Sequence, residues 1–415
     1  MSVDVSRRAF LTGAGALGLA GVATGLAGCT DAKPRPKTTA SGSGDASVVP
    51  FRGAHQAGID TPAQDRLAFA VFDVTSTSRD DLRSMLTSWT AAAEAMTLGR
   101  QVPGGASDLA APPADTGEAV GLPASALTIT IGYGPTLFDD RFGLAARLPA
   151  ALQPLPALPG ESLQPERTGG DLCVQACADD PQVAFHAIRN LARLGRGAVV
   201  MRWSQLGFGR TSSTSSSQAT PRNLMGFKDG TRNIKSDERD DLAAHVWVGD
   251  ESDQAWMRGG SYLVARRIRM LIESWDRDYL ADQQRVFGRF RASGAPLTGT
   301  AEFDPPDFSK RSGGEPVIPA DAHIRLASPE NNGGVKLLRR GYSYTDGIDP
   351  VTGELDAGLF FIVFQKDPRT HFVPVQRRLG AHDALTEYIT HTGSGLFGCP
   401  PGLRVGQSWA EQLFG

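Results

Sequence analysis

Twice between residues 67 and 205 the chain runs strand, helix, strand, and this order restricts its fold more than any other feature. LAFAVFDV (67–74) is a nearly unbroken apolar run, as in a strand buried on both faces. RDDLRSMLTSWTAAAEAMTL (79–98) has helical apolar spacing and no breaker, and ALTITIGYG (126–134) alternates as a strand does. The pattern then repeats. DLCVQACAD (171–179) reads as a strand, PQVAFHAIRNLARL (181–194) as a helix with proline at its first position, and AVVMRWSQ (198–205) as a strand. Two β-α-β units in this order are the split pattern of a ferredoxin-like domain, an antiparallel sheet with helices on one face.

A Ser/Thr-rich break (206–220) follows, and the boundaries are set around it: an N-terminal domain at 50–210, a linker at 211–221 and a C-terminal domain at 222–415. The second half has the same grammar. HVWVG (245–249), SYLVARRIRM (261–270) and GLFFIVFQ (358–365) read as strands. IESWDRDYLADQQRVFG (272–288) reads as a helix, 292–321 as a long loop, and FVPVQRRLGAHDALTEYITH (372–391) contains the last helix. The expected fold class is therefore α+β, two ferredoxin-like domains with no close sequence repeat between them.

At 415 residues the chain is long enough for two such cores without a disulfide or metal staple. A net charge of −3 with no block of like charge offers nothing to a nucleic acid. Cys173 and Cys177 lie four apart on one strand, roughly 13 Å between Cα atoms, too far for a disulfide, and Cys399 falls in a C-terminal loop.

Residues 1–28 read as an address. Ser6-Arg7-Arg8-Ala9-Phe10-Leu11 is a twin-arginine pattern, and Leu26-Ala27-Gly28-Cys29 resembles a lipobox, with Cys29 the residue to be lipidated. Six glycines between Phe10 and Gly28 argue against a spanning helix. Residues 29–49, rich in Pro, Ser, Gly, Thr and Lys, read as a flexible tether. The expected location is the periplasm or the outer face of the membrane, with a lipid anchor as the sole membrane attachment. As a class, twin-arginine substrates cross folded and often carry a cofactor.

No Walker loop, G-x-G-x-x-G, H-E-x-x-H, G-x-S-x-G or C-x-x-C-H is present. Three other segments carry chemistry. In Asn223-Leu224-Met225-Gly226-Phe227-Lys228-Asp229-Gly230-Thr231-Arg232-Asn233, an acid between glycines is either an Asp-Gly turn or a carboxylate held close to a planar ligand. His323 in DAHIRLAS (321–328) is either a satisfied core histidine or a ligand. Arg339 and Arg340 in LLRRGYSY (337–344) are either strand-edge charges or site residues.

Together these segments resemble the dye-decolourising (DyP-type) haem peroxidases. GFKDG is similar to that family's G-x-x-D-G signature, and DAHIRLAS and LLRRGYSY to the segments supplying its proximal His and distal Arg. GAHQAGI (53–59), LFDDRFGL (137–144), the WDR…QQRVFGR stretch (275–289) and LDAGLFFIVFQ (355–365) extend the likeness over about residues 50–412, nearest to the exported subgroup of iron-uptake deferrochelatase/peroxidases. The resemblance implies one non-covalent haem b per chain, held mainly by the second domain. It implies reduction of hydrogen peroxide, through a ferryl intermediate, with oxidation of organic donors such as dyes or phenols. It further implies self-association and an iron-uptake or other exported partner.

By the same resemblance His323 is the axial iron ligand, with Asp356 as acceptor for its other ring nitrogen. Asp229 is the proton shuttle, and Arg339 stabilises the charge that develops as the O–O bond breaks. Gly230, Thr231 and Arg232 line the haem edge. Ser328-Pro329-Glu330 occupies the family's Asn-Pro-Arg position, so a propionate partner is lost, and Arg325, Arg232 and Arg340 are the candidates to replace it. Release of iron from haem and non-enzymatic haem carriage are the competing functions; a carrier needs the His but neither Asp229 nor Arg339.

Overall fold

The computed structural model describes residues 47–104 and 109–415, so the twin-arginine segment and Cys29 lie outside the described residues. The first half is built from β1 (Arg66–Val74), α1 (Arg79–Thr97), β2 (Thr128–Tyr133), β3 (Leu172–Ala178), α2 (Pro181–Leu194) and β4 (Val199–Arg210). The second adds α3 (Arg239–His245), β5 (Ser261–Met270), α4 (Ile272–Trp275), α5 (Leu280–Phe287), the two-residue strands β6 (Arg311–Ser312) and β7 (Glu315–Pro316), α6 (His323–Ala327) and β8 (Leu338–Arg339). It closes with β9 (Tyr342–Ile348), β10 (Leu355–Gln365), α7 (Phe372–His382), β11 (Ile389–Cys399) and α8 (Trp409–Phe414).

Each half has the ferredoxin-like strand order. The first sheet runs β2-β3-β1-β4 and the second β11-β5-β10-β9, antiparallel throughout. The sheets join edge to edge, β4 to β9 and β11 to β2, so the ring closes on itself. β1 shows the consequence. Leu67, Phe69 and Val71 face the interior between the sheets, against Leu263, Tyr342 and Phe360. Ala68, Ala70 and Phe72 face the layer of α1 and α2, where Trp89 is fully buried. A strand buried on both faces needs apolar residues at every position, which explains its unbroken run.

Several expectations are corrected. Residues 245–249 are not a strand: α3 ends at His245 and the chain turns, burying Val246 and Val248 from a loop. The helix expected over 272–288 is interrupted at 276–279 and becomes α4 and α5. β11 and α8 were not foreseen, and Cys399 ends a buried strand rather than lying in a loop. β11 hid behind its glycines, which have a packing cause: a Cβ on Gly393 would stand 2.8 Å from the Arg167 carbonyl oxygen. Nor is the break after β4 a loose spacer. Thr211 to Thr214 are buried, and the Ser212 hydroxyl donates to the Arg339 carbonyl at 2.8 Å.

Most of the remaining histidines are held by partners within the protein. His55 stacks on Trp247 and His186 bonds to Asp115. No cluster of three or more potential metal ligands occurs among the described residues. His371 Nε2 lies 3.5 Å from His245 Nδ1, and burial, with the His245 charge, pushes the His371 pKa down to about 4. The unfolded chain takes up this proton near pH 6.5, so the native state binds fewer protons below that pH. The contribution is present in full above pH 6.5 and lost as pH falls to about 4, on the order of 3 kcal/mol. Urea unfolding of His371→Gln at pH 7 and pH 4.5 is expected to show less acid destabilisation than the parent; equal loss in both proteins refutes the assignment.

Candidate active site

The loop 221–233 is folded back on itself. The Asp229 amide donates to the Pro221 carbonyl, and the Asn223 amide to that of Phe227. Gly230 has φ +81°, and a Cβ there would meet the Ser212 backbone at 2.9 Å, so only glycine lets the loop dock. Docking places the Asp229 carboxylate against two donors. Arg339 Nη1 donates to Oδ1 at 2.9 Å and Asn223 Nδ2 to Oδ2 at 3.2 Å. The Arg339 backbone is pinned in turn: its amide donates to Asn233 Oδ1 at 2.7 Å, and its carbonyl accepts from Asn233 Nδ2 at 2.9 Å and from Ser212. Asn223, Asn233 and Ser212 were missed by sequence reasoning. The GFKDG signature lies between the two asparagines, and polar residues flanking such a loop were the available signal.

His323 opens α6 and borders the same cavity as Asp229 and Arg339. Its Nδ1 bonds to Asp383 Oδ2 at 2.6 Å, so Asp383 is the partner and Asp356 is not. Asp356 instead takes Arg267 Nη2 on both oxygens at 2.8 Å, because that arginine is buried against Tyr344 and requires an anion. Asp383 is 4% exposed, follows α7, and also accepts from the Leu385 amide at 2.9 Å. Burial alone would lower the His323 pKa, but the attraction and hydrogen bond of Asp383 outweigh it and the net shift is upward. A more basic imidazole with its proton fixed on Nδ1 presents a lone pair at Nε2, which makes no hydrogen bond among the described residues.

The cavity holds about 1640 Å³ of empty space counted out to its mouth, with walls that include Ile268, Met270, Phe287, Leu359, Phe361 and Ile389. Gly230, Thr231, Arg232, Ser328 and Pro329 line it as well. Glu330 stands at the rim, holding Arg232 by two hydrogen bonds of 2.8 and 2.9 Å. Of the arginines considered as replacements for a propionate partner, only Arg232 borders the cavity. Arg340 is fully buried and donates to the Thr61 carbonyl and Gln64, and Arg325 donates to the Ile318 carbonyl beside Phe308. Broad apolar walls, one imidazole with a free Nε2 and an Asp–Arg pair in one cavity fit haem b.

Comparison with known proteins agrees. The chain matches the family model described as "Dyp-type peroxidase, N-terminal" over residues 56–209 and "Dyp-type peroxidase, C-terminal" over 220–404. It is 39% identical over 410 residues to the deferrochelatase of Escherichia coli O6:K15:H31, covering 97% of this chain and 95% of that one. Ferric DtpA from Streptomyces lividans superposes with a TM-score of 0.81 at 40% identity, covering 89% of this chain and 98% of that one. The DyP-type peroxidase of Streptomyces coelicolor gives 0.82 at 40% identity over the same shares of the two chains.

Replacing Asp383 by Asn is expected to weaken haem binding about 10–100-fold in a Soret titration, since partners of a ligating His typically matter by that much. Asp356→Asn is expected to leave haem affinity within about twofold and to act on stability through the buried Arg267. The reverse order of effects would restore Asp356 as the partner.

Proposed function

The chain belongs to the DyP-type peroxidase family, and from that premise we propose how its residues serve a haem b peroxidase that reduces hydrogen peroxide at the expense of an organic donor. Haem b, when bound, supplies the iron that accepts the two oxidising equivalents of peroxide and hands them to the donor. His323 Nε2 would hold the iron, and Asp383 keeps the Nδ1 proton in place so that Nε2 alone is offered. The Asp229 carboxylate takes a proton from one peroxide oxygen and returns it to the other, which leaves as water. Arg339, always charged, stabilises the negative charge on the departing oxygen and holds Asp229 Oδ1 in place. The observation that carries this reading is the Asp229–Arg339 pair in the same cavity as an imidazole with a free Nε2, since a carrier has no use for the pair.

A second reading, release of iron from haem, is favoured by one observation: the relative that is 39% identical over 97% of the chain is named deferrochelatase. The two readings separate in the product. Peroxidase turnover leaves iron in the porphyrin, whereas iron release leaves fluorescent metal-free porphyrin.

Export by the twin-arginine route and lipidation at Cys29 rest on the sequence of residues 6–11 and 26–29. Among the described residues no helix is long and apolar enough to cross a membrane. Cys29→Ser is expected to move the protein from the membrane fraction to the soluble exported fraction; unchanged fractionation refutes the anchor.

Asp229→Asn and Arg339→Leu are each expected to slow the bimolecular reaction with peroxide by about 10²–10⁴-fold, read by stopped-flow haem absorbance, while leaving the resting Soret band in place. A variant as fast as the parent contradicts the assignment.

A further inference from the structure

Five cationic side chains line the cavity: Lys228, Arg232, Arg289, Lys336 and Arg339. Four are neutralised within the protein, Lys228 by Glu302, Arg232 by Glu330, Lys336 by Asp241 and Arg339 by Asp229. Arg289 is not. It is 6% exposed and forms no ion pair among the described residues. Its Nη1 donates to the carbonyls of Gly294 at 2.6 Å and Glu302 at 3.1 Å, whereas Nε and Nη2 make no hydrogen bond among the described residues. The carboxylate of Glu302 is already engaged by Lys228 and by the Thr231 hydroxyl, so only its carbonyl is offered. Burial pushes the Arg289 pKa down to about 10; Glu302 opposes the shift, and the positive charges of Arg232 and Arg339 add to it.

The residue is placed there by the fold. It follows α5 and Gly288, whose φ of +77° turns the chain, and a Cβ at Gly288 would stand 2.8 Å from Ile324, the neighbour of His323. The guanidinium is therefore fixed to the segment that carries the iron ligand. A buried guanidinium is tolerated when an anion neutralises it, and its planar fork matches a carboxylate. No such anion reaches Arg289 among the described residues, and a carboxylate-bearing ligand in the cavity would supply one.

We propose that Arg289 is the seat of a haem propionate, receiving that carboxylate on the Nε/Nη2 edge that the described residues leave unbonded. This inference rests on haem b as the cofactor. It gives this chain an internal replacement for the arginine missing at Glu330: the rim pair Arg232–Glu330 is self-neutralised, and the charge that answers the propionate lies deeper. A carboxylate on an organic donor has the same chemistry, and the test separates the two sources.

Cofactor-free full-length mature protein is titrated with hemin and with hemin dimethyl ester, which lacks the carboxylates, and the Soret band is followed. In Arg289→Gln hemin affinity is expected to fall about 10–100-fold while ester affinity changes less than about twofold, the size of a charge-assisted hydrogen bond to a carboxylate. Equal loss for both ligands, or no loss for either, overturns the proposal; no loss for either is also what a donor-carboxylate site would give. If Arg289→Gln does not fold, Arg289→Lys keeps the charge without the fork and is expected to lose at least about threefold in hemin affinity with the ester unaffected. Equal hemin binding by that variant and the parent overturns the proposal too. Absence of any Soret band from the parent with hemin would overturn the haem assignment itself, a result distinct from all of these.

Discussion

Closure of two four-stranded sheets into one ring is the constraint on which the rest depends. It buries both faces of strands such as β1, so a charge carried into the interior needs a partner there. Two arginines of β5 drawn into it arrive with partners. Arg266 meets Glu161 and Ser394, and Arg267 meets Asp346 and Asp356. The neighbours Arg339 and Arg340 show how finely the sheet sorts charge. Successive residues of an extended chain point to opposite faces, so one reaches Asp229 in the cavity while the other is sealed among Thr61, Gln64 and Thr214. A one-residue slip in β8 would exchange their roles.

The cavity sits against the second sheet, whose strands β5, β10 and β11 contribute Ile268, Leu359 and Ile389 to its wall. The aromatic group of Phe227, Trp275, Phe287 and Tyr388 backs it, and the Phe287 ring lies 6.1 Å from that of His323. Rigid walls of this kind hold an imidazole and a carboxylate in fixed relation, which a proton transfer over hydrogen-bond distance requires. The site residues themselves come from loops and short elements laid over those walls. Local contacts therefore cannot keep them in register, and the hydrogen bonds of Asn233 and Ser212 to the Arg339 backbone do so instead.

What was legible in the sequence follows this division. α2 carries a period of 3.6, β2 alternates and β1 is a nearly continuous apolar run; these patterns come from neighbouring residues, so they could be read directly. β11 carries three glycines that packing demands and propensity opposes, and it was lost. At the site His323, Asp229 and Arg339 stood out because their motifs are contiguous. Asp383 did not: it is 60 residues from His323, and its local signature is that of a cap, accepting from the Leu385 amide. Asp356 was the natural candidate by motif, but nothing in a linear reading shows that Arg267, 89 residues away, has already taken it.

The two carboxylates of the site differ in how they are held, and this separates their proposed tasks. Asp383 is buried with one histidine and one backbone amide as donors, an arrangement that holds a proton on the imidazole and leaves the carboxylate no freedom to exchange it with solvent. Asp229 is less enclosed, shares its oxygens between Arg339 and Asn223, and faces the open cavity, where a proton can arrive on one oxygen and leave again. Exchanging the two environments would tether the proposed shuttle and expose the partner of His323. The placement of Gly230 against Ser212 and of Asp383 at the end of α7 is therefore as much a part of the chemistry as the carboxylates themselves.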